Sequence, residues 1–332
     1  MKIAFNENLS LLHLGDSHPM RGDRYKRAVR RFRELGLEFE LEDFPMASEE
    51  DLLLFHTREY VEKVKEISKR GWPDISPDTP GFKGVFEAAS WSVGATLKAL
   101  ELAEQEGVGV NLAGGWHHAF PETGRGFCIF SDTGVAIARL KKKGARVMIV
   151  DYDAHHGDGI QRVYGSDPGV LTVSFHQDPS TLYPYLTGHL EETHETNLNL
   201  PLPPLSGAEE VLYAFSRIVP PLIEKHRPDF LIVEMGVDGH CSCYVANLSI
   251  SKRGYLKLGE ALGEIRYKYE LPMVLVGGGG FVYPHYADCW ALQLAGIQGR
   301  SLDLELDDCP GGRNMSRVKD LVARARNLAH LP

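Results

Sequence analysis

Short apolar runs alternate with longer amphipathic segments along most of the chain. Val147–Val150, Val170–Phe175 and Phe230–Met235 are dominated by apolar or β-branched residues, whereas Ala208–His226 and Ser251–Tyr269 repeat apolar residues at helical spacing. Continuous apolar runs are typical of parallel strands that are buried on both faces. The alternation therefore predicts an α/β fold, in which helices cover both faces of a central, mostly parallel sheet.

The same pattern predicts further elements. Helices are predicted at about Arg24–Leu35, Leu52–Arg70, Val85–Glu106, Ser131–Lys143, Gly157–Tyr164 and Tyr286–Gly299, and a further strand at Pro272–Val276. The segment His176–Pro204 is rich in Tyr, Gly, Pro and acidic residues, and a loop of this length in a compact domain is usually functional. No stretch resembles a domain linker or a repeat, so we expect a single domain over residues 1–332.

Composition narrows the possible partners. A net charge of −9 argues against direct binding to nucleic acid or to an anionic membrane. The N-terminus lacks the apolar region of a signal peptide, and no apolar run of about 18 residues predicts a transmembrane helix. We therefore expect a cytoplasmic protein, and reduced thiols at its five cysteines, which are Cys128, Cys241, Cys243, Cys289 and Cys309.

The stretch Asp151–Gly159 concentrates the candidate chemistry. It places three carboxylates and two imidazoles directly after the apolar run Val147–Val150. Side chains two apart just beyond a strand point the same way, so Asp153 and His155 are able to hold one metal ion. An oxygen and a nitrogen ligand suit Zn²⁺, and Fe²⁺ or Co²⁺ is also possible. A solvated loop is the alternative, but so many ionisable groups beside a buried strand are costly unless they are paired.

Polar side chains follow other predicted strands as well. Gly115–His118, Gly236–His240 and Gly277–Phe281 stand at positions equivalent to Asp151–Asp158. Because the carboxyl ends of parallel strands meet at one edge of a sheet, we expect these segments to surround one cleft. The cleft would hold His117, His118, Asp151, Asp153, His155, Asp158, Asp238 and His240. Each alone has an ordinary structural explanation, but their joint occurrence favours a functional site.

Several motifs carry a family resemblance. Gly114-Gly-Trp-His-His-Ala119, Gly126-Phe-Cys128, Asp151–Gly159, Gly236-Val-Asp238 and Gly277–Gly280 resemble, in order, the motifs of the zinc-dependent histone deacetylase superfamily, which includes acetoin-utilisation and acetylpolyamine deacetylases. The resemblance implies an arginase/deacetylase fold and hydrolysis of an acyl-amide. The expected substrate is an acylated lysine or a small acylated amine. An oligomer is possible.

The resemblance also implies roles for individual residues. Asp153, His155 and Asp238 match the ligands of one zinc ion per chain. His117 and His118 match a pair in which one ring is the general base and the other assists. Asp151 and Asp158 match the carboxylates that orient them. A structural K⁺ or Na⁺ is implied near the zinc, at Asp151, Asp153, His155, Ser174 and Phe175. The substrate tunnel is matched by Gly126, Phe127, Cys128, Tyr183, Asp78 and Arg24.

One departure from the family pattern bears on catalysis. Phe281 follows the glycine run where relatives usually have a Tyr whose hydroxyl binds the developing oxyanion. Losing one such donor typically costs ~10²–10³ in rate. Three interpretations stay open: an engineered Tyr→Phe variant that traps substrate, a substitute hydroxyl from Tyr283, or a slow deacylase or acyl-amine binder.

Two further departures concern the rim of the cleft. His240 and Cys243 are expected near the metal, where they would line the cleft, hold adventitious metal or serve structure alone. The acidic residues of Tyr185–Glu195 would attract a cationic amine to the mouth, and a plain exposed loop is equally compatible with them.

Two alternative functions remain. The first is a pseudoenzyme that binds acyl-amines without hydrolysing them, for which Phe281 is the main support. The second is an arginase-like dimanganese ureohydrolase, which needs carboxylates where this chain has Gly157 and Gly236. The missing carboxylates make the second alternative remote.

Overall fold

Parallel strands form the centre of the molecule. In the computed structural model, which describes residues 1–307 and 309–331, eight strands form one sheet in the order β2-β1-β3-β8-β7-β4-β5-β6, and all paired strands run parallel. The strands are β1 (Lys2–Ala4), β2 (Glu40–Glu42), β3 (Val108–Asn111), β4 (Val147–Asp151), β5 (Val170–Gln177), β6 (Asn197–Leu202), β7 (Phe230–Glu234) and β8 (Met273–Val276). The predicted α/β fold with a parallel sheet is confirmed.

Helices connect the strands. They are α1 (Arg24–Glu34), α2 (Glu49–Leu52), α3 (Arg58–Arg70), α4 (Val85–Glu106), α5 (Asp132–Lys142), α6 (Asp158–Tyr164), α7 (Ala208–His226), α8 (Lys252–Tyr269), α9 (His285–Ile297) and α10 (Met315–Leu328). Side-chain caps fix several starts, since Ser131 Oγ accepts the Gly134 N–H of α5 and Ser251 Oγ accepts the Gly254 N–H of α8. Among the described residues, no helix has the length and apolar character that crossing a membrane requires.

Two predicted boundaries were wrong, and some elements were not predicted. The helix expected over Leu52–Arg70 is two helices, because Thr57 caps a new helix that begins at Arg58. The loop expected over His176–Pro204 contains β6, which pairs with β5 over Asn197–Leu202. In β6, Leu198, Leu200 and Leu202 alternate with Asn and Pro, and the proline is tolerated because β6 is an edge strand. Helix α10 was not predicted.

The central strands bring the functional segments together. Strand β4 lies between β7 and β5 and is fully buried, with Asp151 paired to Glu234 on one side and to Ser174 on the other. Strand β8 lies between β3 and β7, so the segments after β3, β8, β7 and β4 leave the sheet side by side. Since all four strands run in the same direction, their carboxyl ends form one floor.

The cysteines correct one expectation. Cys241 and Cys309 form a disulfide, with their Cα atoms 5.7 Å apart, although 68 residues separate them in sequence. Cys128, Cys243 and Cys289 are free and buried. The expectation of reduced thiols throughout is therefore wrong for two of the five. Only the fold brings the loop after β7 to the segment after α9, so local spacing did not indicate this pairing.

Candidate active site

A single cavity lies over the carboxyl ends of the central strands. Its volume is about 270 Å³. Its lining includes Arg24, Asp78, His117, His118, Gly126, Phe127, Cys128, Asp153, His155, Tyr183, Asp238 and Phe281. The structure thus brings to one place most of the residues that the sequence nominated from separate motifs.

Asp153, His155 and Asp238 converge on one point of the cavity floor. His155 Nδ1 lies 2.7 Å from Asp238 Oδ2 and 3.2 Å from Asp153 Oδ1. The other oxygens accept backbone N–H groups, Asp153 Oδ2 from Gly279 at 2.6 Å and Asp238 Oδ1 from Ala154 at 2.8 Å. Asp153 Oδ1, which also accepts the His155 N–H at 2.9 Å, and Asp238 Oδ2 both face His155 Nδ1, so the three side chains present their donor atoms to one point.

The electrostatics of this cluster favour a bound cation. Burial, together with the nearby charge of Asp153, raises the pKa of Asp238 to about 6. Burial opposes the charged form of His155, but hydrogen bonds to Asp153 and Asp238 outweigh it and raise the pKa of His155 to about 10. Two buried carboxylates in contact are costly unless a cation compensates them. Two carboxylates and one imidazole form a donor set that fits a divalent ion such as zinc.

A pair of histidines lies beside the centre. His117 Nε2 and His118 Nε2 are 3.1 Å apart. Each ring is held from behind by a carboxylate: His117 Nδ1 is 2.8 Å from Asp151 Oδ2, and His118 Nδ1 is 2.7 Å from Asp158 Oδ1. The backing carboxylates orient the rings and set which nitrogen carries the proton. These are the two carboxylates that the resemblance implied as the orienting groups.

The environments of the two rings differ. Burial, followed by the charge of His117, lowers the pKa of His118 to about 4. Burial also opposes a charge on His117, but the neighbouring carboxylates, Asp151 first among them, outweigh it and raise the pKa of His117 well above its usual range. Two adjacent imidazoles whose pKa values are pushed apart are typical of acid–base sites.

Two further residues near the pair were missed from the sequence: Glu234, which lies beside His117, and Arg125, which contacts Asp158 behind His118. Glu234, fully buried on β7, has Oε1 3.6 Å from His117 Nδ1, and neither of its oxygens has a hydrogen-bond partner among the described residues. Burial raises the pKa of Glu234 well above its usual range. Arg125 Nη1 lies 3.0 Å from Asp158 Oδ2, and its Nε donates to Tyr183 Oη at 2.8 Å. The sequence did contain a sign that Glu234 is special, because it is a lone acid inside an apolar run. No local pattern marked Arg125.

Aromatic rings form the walls above the His pair. The Tyr183 ring lies 5.0 Å from the His118 ring, and the Phe127 ring lies 6.3 Å from that of Phe281. Gly126 and Phe127 both have positive φ, at 57° and 70°, and Asp78 Oδ1 holds this turn by accepting the Gly126 N–H at 3.0 Å. Gly126 is required here, because a Cβ would lie 2.5 Å from the His118 ring. The predicted wall residues thus line the cavity.

Arg24 and Phe281 lie at the inner end. Arg24 is buried, and its Nη2 donates to Gly278 O at 2.8 Å. Its guanidinium stands 4.5 Å from the Trp290 ring and 5.2 Å from the Phe281 ring. The Tyr283 ring instead lies under the Arg27 guanidinium at 4.0 Å and is not part of the cavity lining. This position argues against Tyr283 as a substitute oxyanion donor.

Other rim predictions need correction. His240 turns away from the cleft, because the chain reverses where the His240 N–H donates to Val237 O, and its Nε2 contacts Asp307 Oδ2 at 2.9 Å. Cys243 is buried and does not line the cavity. The acids of the Tyr185–Glu195 loop do not line the cavity, because Glu191 pairs with Arg324 and Glu195 with Lys225 on the exposed surface, and Glu192 accepts from Gln161.

The residues nominated for a monovalent cation surround the ends of β4 and β5. Ser174 pairs with Asp151 in the strand register, and Phe175 follows it in β5. Asp153 and His155 continue from β4, and the Asp153 N–H donates to Asp151 Oδ1 at 3.0 Å. The five residues are therefore neighbours, as a shared ion would require.

Fold and site together define a class of α/β proteins that carry an Asp–His–Asp centre and a histidine pair at the carboxyl edge of a parallel sheet. Residues 18–297 match the histone deacetylase domain family. The acetoin utilization protein AcuC of Bacillus subtilis is 34% identical over 274 residues, which cover 76% of this chain and 70% of AcuC.

Solved structures agree with the sequence match. A histone deacetylase homologue from Aquifex aeolicus superposes with a TM-score of 0.86 and 28% identity, covering 98% of this chain and 99% of that one. A histone deacetylase homologue complexed with SAHA gives a TM-score of 0.86 at 27% identity, covering 98% of this chain and all of that one (100%). The chain belongs to the histone deacetylase family, and its fold is the arginase/deacetylase fold.

Proposed function

We propose that the protein is a zinc-dependent hydrolase that removes an acyl group from an acylated lysine or a small acylated amine. The observation that carries the proposal is the Asp153–His155–Asp238 centre beside the His117–His118 pair in one aromatic-walled cavity. Fe²⁺ or Co²⁺ also suits these ligands. A structural K⁺ or Na⁺ at Asp151, Asp153, His155, Ser174 and Phe175, and one catalytic domain over residues 1–332, belong to the same proposal.

Each group of residues has a distinct task. Asp153, His155 and Asp238 hold the metal, which supplies Lewis acidity toward the acyl carbonyl and toward water when it is bound. Within the His117–His118 pair, one ring accepts a proton from the attacking water and the other assists through its charge or as an acid. Phe127 and Tyr183 contact the methylenes of the substrate, since long amine stems pack well on aromatic walls.

Substrate binding is expected to occur in the cavity above the centre. A homologue of the same fold has been crystallised with SAHA, an acyl-amide analogue. We expect this chain to bind SAHA as well, and Asp153→Ala to lose that binding together with one zinc equivalent per chain. Loss of two manganese ions instead would favour an arginase-like site and contradict the proposal.

Turnover decides between hydrolysis and binding alone. The assay compares acetyl-lysine and trifluoroacetyl-lysine peptides with acetylpolyamines, using the wild-type chain and a His118→Ala control. Hydrolysis that His118→Ala abolishes supports the proposal, and the preferred amine identifies the substrate class. A second function, non-catalytic acyl-amine binding, is favoured by Phe281 and would give SAHA binding without turnover of any of these compounds.

The cytoplasmic location also remains a proposal. Fractionation of cells that produce the full chain tests it, with a periplasmic or membrane distribution as the contradicting result.

A further inference from the structure

A second group of metal-ligating side chains lies outside the cavity. His240 comes from the loop after β7, His285 begins α9, and Asp307 comes from the segment after α9. Ligand atoms of the three side chains lie within 4.8 Å of one another. None of the three lines the catalytic cavity, so the proposed hydrolase does not use them.

The three side chains are arranged closely enough for one ion. His240 Nε2 is 2.9 Å and His285 Nδ1 is 4.0 Å from Asp307 Oδ2. In a tetrahedral zinc site with bonds of about 2.0–2.1 Å, neighbouring donors stand about 3.3 Å apart. The two distances to Asp307 lie on either side of that value, so modest side-chain shifts would bring the three donors to one ion.

His285 contributes an unused donor. Its Nδ1 is buried and has no hydrogen-bond partner among the residues that the structure describes. Its ring stacks on that of His240, with centroids 4.9 Å apart and planes 24° from parallel. A buried imidazole nitrogen without a partner is costly, and metal coordination would satisfy it.

The surroundings supply the outer contacts that such a site needs. Asp307 Oδ1 accepts the Lys252 N–H at 2.8 Å, which leaves Oδ2 for the ion. His240 Nδ1 lies 2.8 Å from Ser242 Oγ and accepts the Ser242 backbone N–H at 3.1 Å. Because Nδ1 accepts that N–H, Nε2 carries the ring proton and donates it to Asp307 Oδ2. Coordination through Nε2 would move the proton to Nδ1, which would then donate to Ser242 Oγ in place of the bond from the Ser242 N–H. The Lys252 ammonium is already paired with Asp288 at 3.0 Å.

We propose that His240, His285 and Asp307 form a second, non-catalytic site for a divalent transition-metal ion, with zinc as the first choice. The inference is independent of the hydrolase function. The site joins the segment after α9 to the loop that carries Asp238, two residues before His240. The Cys241–Cys309 disulfide closes the same junction, so the ion and the disulfide hold one contact between distant parts of the chain.

Metal content of matched variants tests the site. The full-length protein is saturated with ZnCl₂, dialysed and analysed for zinc per chain. His285→Phe keeps a ring stacked on His240 and removes its nitrogens, so it serves as the key variant. We expect two equivalents in the wild type, one in His285→Phe, one in Asp153→Ala and none in the double variant. His226→Ala, which removes another half-buried histidine with an unpartnered nitrogen, should keep two.

A spectroscopic readout separates this site from the catalytic one. Co²⁺ added to Asp153→Ala should give a d–d absorption band that disappears in Asp153→Ala/His285→Phe. Equal metal content in His285→Phe and the wild type overturns the proposal. A second result would also overturn the proposal: the Cys241→Ser/Cys309→Ser variant loses the second zinc while His285→Phe retains it. The ligands would then be cysteine thiolates. A single zinc that only His285→Phe removes supports this site and contradicts the catalytic centre.

Discussion

Restoring a hydroxyl at position 281 should reveal how much catalytic power the chain lacks. Phe281 lines the inner cavity, with its ring 5.2 Å from the Arg24 guanidinium and 6.3 Å from the Phe127 ring. A phenolic oxygen needs about the space of one water, roughly 30 Å³, and the cavity holds about 270 Å³. Phe281→Tyr should therefore fit without displacing the metal ligands.

The size of the gain follows from the chemistry of an oxyanion donor. One preorganised hydroxyl is typically worth ~10²–10³ in kcat, or about 2.7–4 kcal/mol of transition-state stabilisation. Since the donor acts on charge that develops only during reaction, kcat should rise while KM changes little. The assay is steady-state hydrolysis of an acetyl-lysine peptide and of acetylpolyamines by wild type and Phe281→Tyr.

Two control variants make the result specific. Phe127→Tyr adds the same hydroxyl to another cavity wall and should give no comparable gain, while Tyr283→Phe tests whether Tyr283 supplies a hydroxyl after all. A large loss in Tyr283→Phe, or no gain in Phe281→Tyr on any acyl-amine, would refute the reasoning about the missing donor.

Three further predictions follow from the site. Gly236→Ala would place a Cβ 2.6 Å from the Asp153 Cα, so the purified variant should lose the Asp153-dependent zinc in metal analysis; full retention would contradict this. Arg125→Met removes the contacts to Asp158 and Tyr183 and should lower kcat/KM about tenfold. Hydrogen bonds to charged groups are worth roughly 1.5–3 kcal/mol, and the low end applies because Arg125 is partly exposed. Unchanged kinetics would contradict this prediction. Glu234→Gln should remove a pH dependence of stability. Because burial raises the pKa of Glu234 in the folded state, the free energy of unfolding of the wild type falls as the pH rises above the unfolded-state pKa of about 4.3, by up to about 1.4 kcal/mol per pH unit. Urea unfolding of both proteins at pH 5 and pH 7 measures this, and parallel curves would show that Glu234 is ionised when folded.

Local patterns predicted the parts of the site that neighbouring residues determine. The run Val147–Val150 followed by Asp153 and His155 indicated both a buried strand and the side chains at its end. Because parallel strands end at one edge, the separate motifs at His117 and Asp238 could be assigned to the same cleft. The structure places all of them around one cavity.

Features that depend on distant segments could not be predicted in this way. Arg125 contacts Asp158, 33 residues further along the chain, and the Cys241–Cys309 disulfide joins segments that only the fold brings together. His240 follows Asp238 by two residues, yet a turn at Val237–His240 points it elsewhere. The prediction for His240 assumed that the strand geometry continues beyond Asp238. A single turn ends that geometry, so the spacing no longer tells where the side chain points.

The buried carboxylates at this edge of the sheet differ in whether each has a positively charged or hydrogen-bonding partner. Asp151 and Asp158 each contact one histidine, Asp158 also contacts Arg125, and Asp153 and Asp238 share His155. Glu234 differs, because its nearest cationic group is His117 Nδ1 at 3.6 Å, and that nitrogen already faces Asp151 at 2.8 Å. A second full negative charge there would strengthen the proton affinity of His117 and oppose its release during turnover. A neutral Glu234 avoids this cost, so the protonated acid is the form compatible with a histidine pair that exchanges protons.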